Sequence, residues 1–172
     1  MRTDYLLRQQ MEHVLACLTD ANEIAMRVSL HSGLRIGDVL NIKTEQLKPR
    51  FWVREQKTGK AKMVGLPAPL LERMREISGK TWVFEHRTDP AKHRTRQAVW
   101  ADVKRAQKAF RLPENVGCHS ARKVYAVELM ERYGDVAIVQ RALNHTDVMV
   151  TLCYAMADRL VKKKLDKIRH VC

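Results

Sequence analysis

The chain has 172 residues, a length that suits one globular domain and leaves little room for a second. Hydrophobic residues make up 45% and charged residues 30%, which argues against a disordered chain and indicates a soluble protein with a hydrophobic core. Lysine and arginine number 32 against 19 aspartate and glutamate, a net charge of +13. This excess favours a polyanion such as nucleic acid as the partner, because each neutralised phosphate releases condensed counterions. A basic surface that only aids solubility is the alternative.

The cysteines and the hydropathy pattern indicate where the protein acts. The 4 cysteines form neither a CxxC motif nor a zinc-binding spacing, so we expect reduced thiols in an intracellular protein. The sequence has no apolar h-region at its start and no run of about 18 apolar residues. We therefore expect a cytoplasmic protein that does not span a membrane and that associates with the nucleoid when it is on DNA.

Helical periodicity dominates the N-terminal part of the chain. Apolar residues recur at helical spacing over residues 5–18. Asp20 offers an N-cap for a second helix over residues 21–32, and Gly33 is suited to end that helix. The pattern then predicts a short helix over residues 36–42.

The periodicity changes in the middle of the chain. Residues 51–55 and 61–67 are predicted strands on either side of the turn QKTGK, where Gly59 is available for a positive φ. A helix is predicted over residues 69–77. The short apolar run TWVF, residues 81–84, is predicted as a third strand.

Helices return after a basic, irregular connection. In the first of them, Val99, Trp100 and Val103 are expected on one face. The sequence therefore predicts an α+β fold, which is mostly helical and has one small antiparallel three-stranded sheet. The C-terminal helix is basic and amphipathic. These predicted helices span residues 97–110, 119–134, 135–143, 147–155 and about 158–170.

Six polar residues are of chemical interest, although each has an ordinary explanation on its own. An arginine after a helix stop and a lysine in a hairpin turn are usually solvated charges. A histidine and an arginine at i, i+3 often form a solvated pair on a helix face, and a tyrosine near the end of a chain usually packs in the core. Taken singly, none of the six indicates a function. They are Arg35, Lys57, His119, Arg122, His145 and Tyr154.

Together, these residue types meet the requirements of DNA strand transfer through a phosphotyrosine. Two guanidiniums can each donate parallel hydrogen bonds to the scissile phosphate without losing their charge. A tyrosine with a pKa near 10 is about one part in a thousand ionised at pH 7, a cost of roughly 4 kcal/mol unless a base such as histidine takes the proton. A lysine ammonium can protonate the departing sugar oxygen. The scheme requires no metal or other cofactor, and the sequence offers no convincing acidic metal-binding cluster.

Four ordered motifs, SGLRIGDVL, QKTGK, HSARK and LNHTDVMVTLCYA, resemble those of the tyrosine recombinase (phage integrase) family. The resemblance extends from about residue 20 to residue 160, almost the whole chain. One motif alone would carry no weight, but the order of all of them and the separation of the last histidine and tyrosine are specific. The resemblance implies the fold of the DNA breaking–rejoining enzymes and the activity of site-specific DNA recombination or integration.

The resemblance assigns a role to each matching position. Arg35 and Arg122 match the two arginines that clamp the phosphate, and Lys57 matches the hairpin lysine that acts as general acid. His119 matches the histidine that assists proton transfer, and His145 matches a position that hydrogen-bonds the phosphate.

Tyr154 matches the nucleophile, which would form a 3′-phosphotyrosyl link and free a 5′-hydroxyl. A 5′-hydroxyl of a partner strand then attacks this link, so no ATP is needed. Asp38 matches the acidic position that braces the first arginine. Three positions depart from the usual pattern without removing a catalytic group, since Ala121, Lys123 and Asn144 stand where family members often carry leucine, histidine and glycine.

Family members commonly have an N-terminal core-binding domain, whereas we expect residues 1–172 to form a single catalytic domain without one, with residues 158–170 as its tail. DNA binding is then expected to be weak and sensitive to salt. The expected partner is double-stranded DNA, with a monomer in its absence and a homotetramer on synapsed sites. The tail either packs on a neighbouring protomer or forms a solvated helix. Side chains expected to contact DNA are Lys60, Lys92, Arg94, Arg96 and Lys123.

Two other classes of protein share part of this pattern. Residues 135–155 resemble a helix-turn-helix, which would suit a non-enzymatic DNA-binding module. Such a module does not account for Arg35, Lys57 and the HSAR motif at their places in the order. A type IB topoisomerase or a telomere resolvase has the same catalytic residue types, but those proteins are usually larger and the LNHTDVMVTLCYA motif is closer to that of an integrase.

Overall fold

The computed structural model describes residues 3–144 of the chain, which form a mostly helical domain with one antiparallel hairpin. A short 3₁₀ helix, Thr44–Gln46, precedes the hairpin. The elements are α1 (Arg8–Ala16), α2 (Asp20–Ser32), α3 (Ile36–Leu40), β1 (Arg50–Arg54), β2 (Ala61–Gly65), α4 (Ala68–Ile77), α5 (Arg96–Ala109), α6 (Ser120–Tyr133) and α7 (Val136–Ala142).

The ends of α2 follow the local chemistry of the sequence. Thr19, in extended conformation, is the N-cap, so the predicted cap at Asp20 was wrong by one residue. Asp20 and Glu23 lie in the first turn, where negative charge interacts favourably with the helix dipole. Gly33 ends the helix as predicted, with a left-handed φ of 68°. A side chain here would collide with the ring of Tyr125 on α6, so glycine also permits the close approach of the two helices.

The predicted hairpin is formed by β1 and β2, and side chains alternate between a buried and an exposed face along β1. Phe51 and Val64 are opposite each other in the register and are buried in the core. Trp52 and Met63, the next pair, point outward and are 58% and 45% exposed. Gly59 in the turn has a φ of 66°, which confirms its predicted role.

The predicted third strand does not join the sheet, which has only two strands within residues 3–144. Trp82 forms an isolated antiparallel bridge with Lys43, and the Val83 N–H donates to the Ile42 carbonyl at 3.1 Å. Pairing stops there because the 3₁₀ helix begins at Thr44 and turns the partner segment away. Val83 and Phe84 are nevertheless buried, so the apolar character of the run reflects core packing rather than a strand.

Helix α2 lies at the centre of the domain and packs against α1, α3, α4 and α6. Because it is enclosed by these elements, it is buried over most of its surface. Val99 and Val103 of α5 also face the core as predicted, but Trp100 was assigned to that face wrongly and is 53% exposed. None of the helices within residues 3–144 is long and apolar enough to cross a membrane.

Candidate active site

The first predicted arginine is held by a buried glutamate. Arg35 is the N-cap of α3, two residues after the left-handed turn at Gly33. Its Nη1 donates to Oε2 of Glu55 at 2.6 Å, and the Glu55 side chain is fully buried. The same carboxylate accepts hydrogen bonds from the Thr58 hydroxyl and the Asn144 side-chain amide, each at 3.1 Å. Glu55 thus joins the start of α3, the hairpin turn and the end of the α7 segment.

Asp38 fixes the hairpin rather than forming the ion pair with Arg35. It is buried in α3, and its Oδ1 accepts a hydrogen bond from the backbone N–H of Gln56 at 2.8 Å. Burial raises the pKa of Asp38, and the neighbouring Glu55 carboxylate adds to this rise. The hydrogen bond from Gln56 and the charges of Arg35 and Arg122 act in the opposite direction on its pKa.

The second predicted arginine is clamped between two helix ends. Arg122, in the first turn of α6, is buried, and its guanidinium donates to the Gly33 carbonyl and, at 2.7 Å, to the Leu143 carbonyl. These carbonyls lie just beyond the C-termini of α2 and α7, where the helix dipoles favour a cation. Since Gly33 begins the short turn to Arg35, Arg122 is anchored to the segment of backbone that carries Arg35.

His119 lies immediately before α6 and lines a cavity of about 310 Å³. Desolvation by the surrounding protein lowers the pKa of this imidazole, and the positive charges of Arg122 and Arg35 lower it further. The neutral form of the ring, which can accept a proton, is therefore favoured over the imidazolium. Arg96, one of the predicted DNA contacts, lines the same cavity, which is bounded by Thr3, Arg96, Gln97, Trp100, Gly117, Cys118 and His119.

Lys57 lies in the exposed turn between β1 and β2, as predicted. The turn is closed by a hydrogen bond of 2.8 Å from the Gly59 N–H to the Glu55 carbonyl. A second hydrogen bond, of 2.9 Å, runs from the Glu55 N–H to the Lys60 carbonyl. Both lysines are exposed, while the base of the turn is anchored to the site through Asp38 and Glu55.

Some of the predicted DNA contacts are exposed side chains, and others are half-buried or bonded within the protein. Lys60, Lys92 and Arg96 are exposed, although Lys92 forms an ion pair of 2.7 Å with Asp89. Arg94 is half-buried. Lys123 is also half-buried, and its ammonium donates to the backbone carbonyl of residue 3. Arg94 and Lys123 are therefore less available to a phosphate than their charge suggested.

Two members of the predicted set, His145 and Tyr154, lie outside the described residues, as does the predicted tail helix over residues 158–170. The described chain ends at Asn144, whose φ is 49°. Asparagine tolerates this left-handed conformation better than most residues, which suits it to a position where family members often carry glycine. The site brings together Arg35, Asp38, His119 and Arg122 around the base of the hairpin that carries Lys57.

Two charged residues of the site, Glu55 and Lys62, were missed at the level of sequence. A signal for both exists in the strand alternation. Glu55 continues the inward-facing series of Phe51 and Val53, and Lys62 pairs directly with Val53 across the hairpin. A charged residue at an inward position of a half-buried strand requires a specific partner.

The phage integrase family model matches residues 4–159 of this chain. A tyrosine recombinase of Thermosipho africanus (strain TCF52B) is 25% identical to it over 180 residues. That alignment covers 98% of this chain, which spans 62% of the length of the relative.

Two solved structures show the same fold. A lambda integrase dimer bound to a COC′ core site matches with a TM-score of 0.74 at 20% identity, covering 90% of this chain and 48% of that one. The catalytic domain of bacteriophage HP1 integrase matches with a TM-score of 0.66 at 16% identity, covering 91% of this chain and 89% of that one. Because the family model matches most of its length, the chain belongs to the phage integrase family.

Proposed function

We propose that this chain is the catalytic domain of a site-specific tyrosine recombinase, which cleaves and rejoins DNA for recombination or integration through a 3′-phosphotyrosyl intermediate. The observation that carries the proposal is the convergence of Arg35 and Arg122 on the turn that begins at Gly33, with the His119 imidazole at the start of the helix that carries Arg122. Two fixed guanidiniums next to a proton acceptor suit a phosphodiester whose negative charge grows in the transition state.

In the proposed first step, the phenolic oxygen of Tyr154 attacks the scissile phosphorus. Arg35 and Arg122 stabilise the non-bridging oxygens, and His145 donates a further hydrogen bond to the phosphate. His119 assists the removal of the phenolic proton, since its lowered pKa favours the neutral form that can accept a proton. The new bond joins Tyr154 to the 3′-phosphate.

The bond from phosphorus to the 5′-oxygen breaks in the same step, and Lys57 donates a proton to that leaving oxygen. The exposed hairpin turn is suited to this task, because its tip is solvent-accessible while its base is held by Asp38 and Glu55. In the second step, a 5′-hydroxyl of another strand attacks the phosphotyrosine and releases Tyr154. The phosphodiester energy is retained, so no ATP and no cofactor enter the scheme.

The proposed partner is double-stranded DNA, bound by a monomeric domain that assembles into a homotetramer on synapsed sites. Lys60, Lys92 and Arg96 are the accessible cations that would contact phosphates and position the duplex without reading its sequence. The lambda integrase structure, solved as a dimer on a core site, supports the proposal that this fold binds DNA in more than one copy.

A nicked suicide substrate tests the proposal. The duplex carries the protein's own attachment site, recovered by selecting bound DNA from a random pool, with a nick next to the scissile phosphate so that the cleaved fragment diffuses away. We expect the wild-type chain to form a covalent protein–DNA adduct that is resolved by denaturing electrophoresis, and Tyr154→Phe to form none. Equal adduct yields from the two proteins, or none from the wild type, would contradict the proposal.

A further inference from the structure

Lys62 is a half-buried cation that the proposed chemistry does not use. It lies on β2 opposite Val53 and faces inward. Its ammonium donates hydrogen bonds to the carbonyls of Ser32 and Ala142, which are the last residues of α2 and α7. It also lies 5.4 Å from the centre of the Tyr125 ring on α6, within the range of a cation–π interaction.

Arg122 and Lys62 bind successive carbonyls of the same two helix ends. The Lys62 ammonium donates to the carbonyls of Ser32 and Ala142. The Arg122 guanidinium donates to the carbonyls of the next residue in each segment, Gly33 and Leu143. Two cations from different elements therefore bridge the C-termini of α2 and α7. The partial negative charge of these helix ends favours both contacts.

A charge at this position is costly to the fold, which argues against a packing role alone. Burial lowers the pKa of Lys62 to about 8, and repulsion from Arg122 contributes to the shift, while Glu55 opposes it. An apolar side chain opposite Val53 on an inward strand face would avoid this cost. The ammonium supplies what an apolar side chain cannot, namely hydrogen bonds to two helix ends at once.

We propose that Lys62 is a positioning residue: its ammonium fixes the hairpin to the end of α7 and so sets the point from which the chain continues to His145 and Tyr154. This inference rests on the proposed function. Asn144 follows the bridged end of α7 and is tied through its side chain to Glu55, the partner of Arg35. Through β2 and the α7 end, Lys62 links the turn that carries the general acid to the segment that carries the nucleophile.

The test compares Lys62→Met, which keeps the length of the side chain but removes the ammonium, with Lys62→Arg and with the matched control Lys48→Met. Lys48 is exposed and precedes the hairpin. The 172-residue chain is assayed for the rate of suicide-substrate adduct formation at saturating DNA, for DNA affinity and for the urea unfolding midpoint. Hydrogen exchange of the Leu143 and Asn144 amides, which bond to Val139 and Arg141, reports on the α7 end without requiring activity.

We expect Lys62→Met to slow adduct formation about 100-fold, the scale of a misplacement of about 1 Å, with DNA affinity and unfolding midpoint close to wild type. The two amides are expected to exchange about tenfold faster in this variant, because the helix end opens more often. Lys62→Arg is expected to recover part of the adduct rate, and Lys48→Met to match the wild type in every assay.

Three results would overturn the role of Lys62. They are an unchanged adduct rate, a slower rate without faster exchange of the two amides, and losses of DNA affinity and unfolding midpoint that parallel the loss of rate. A wild-type chain that forms no adduct counts instead against the proposed function, and hydrogen exchange then still decides whether Lys62 holds the α7 end.

Discussion

At the scale of single residues, the site surrounds one imidazole with positive charge. His119 is partly desolvated and lies within the fields of Arg122 and Arg35, and these effects all disfavour its protonated form. A neutral ring at pH 7 can accept the proton of a tyrosine, whereas an imidazolium cannot. In the proposed mechanism the arginines thus have a second effect besides binding the phosphate, since their charges disfavour protonation of His119.

We therefore predict that the ring protons of His119 titrate with a pKa below the ordinary 6.5 in an NMR pH titration. Arg35→Gln is expected to raise this pKa, because it removes a positive charge near the ring. The resonance is assigned by its loss in His119→Gln. A pKa at or above 6.5 in the wild type would refute the electrostatic description of the site.

The same shift has a consequence for stability. Between the folded pKa and 6.5 the unfolded chain binds more protons at this residue than the folded chain does. The free energy of unfolding is therefore expected to fall as the pH drops through that window. Urea denaturation of the wild type and of His119→Gln should show a smaller loss in the variant.

Some residues of the site could be predicted from the sequence, and others could not. Arg35, His119 and Arg122 were assigned from the order of their motifs, and the structure brings them together. Glu55 and Lys62 belong to no motif of catalytic residue types. Their roles depend on partners far along the chain, since Glu55 binds Asn144 and Lys62 binds Ala142. Strand alternation marks the two residues as inward-facing, but no local pattern identifies their partners.

At the scale of elements, the helices were predictable because their apolar spacing and their end signals agree. Gly33 and Gly134 end α2 and α6 in the left-handed conformation. The run at residues 81–84 was not predictable, since a short apolar stretch has the same composition in a strand and in a buried loop. The exposure of Trp100 was missed because helical spacing places it near a core face whose width depends on the neighbouring elements.

The two helix-ending glycines provide a matched pair of substitutions. Gly33→Ala and Gly134→Ala both place alanine at a left-handed φ, 68° and 65°, and we expect each to lose about 1 kcal/mol of unfolding free energy for that reason. At Gly33 the new methyl group would also lie 2.4 Å from ring atoms of Tyr125. At Gly134 it meets no atom of the described chain within 4 Å.

Gly33→Ala is consequently expected to lose about 1–3 kcal/mol more than Gly134→Ala in urea denaturation, because the Tyr125 ring has to move. It is also expected to slow adduct formation, since the Gly33 carbonyl holds Arg122. Equal losses of stability in the two variants would show that α2 and α6 separate without cost at this crossing.

At the scale of the whole molecule, the charge of +13 is distributed between two uses. Some cations are committed to the fold, as Lys62 and Lys123 are through their backbone carbonyl partners. Others are exposed, as Lys60 and Arg96 are. Net charge alone therefore overstates the number of phosphates that the protein can neutralise.

The salt dependence of DNA binding measures how many of the cations contact phosphates. Binding is expected to weaken steeply with salt and to be weaker than nanomolar at about 200 mM, and each phosphate contact contributes about 0.9 to the slope of log K against log salt concentration. Arg96→Gln removes an exposed cation beside the cavity of His119, so we expect it to lower the slope by about one.

Lys123→Gln removes the same charge from the first turn of α6, but its ammonium is bound to the carbonyl of residue 3, so the slope is expected to stay at the wild-type value. Fluorescence anisotropy with a labelled duplex at several salt concentrations gives the slopes. A decrease in slope for Lys123→Gln as large as that for Arg96→Gln would contradict this expectation. It would show that Lys123 contacts a phosphate and that its hydrogen bond to the carbonyl of residue 3 breaks on DNA.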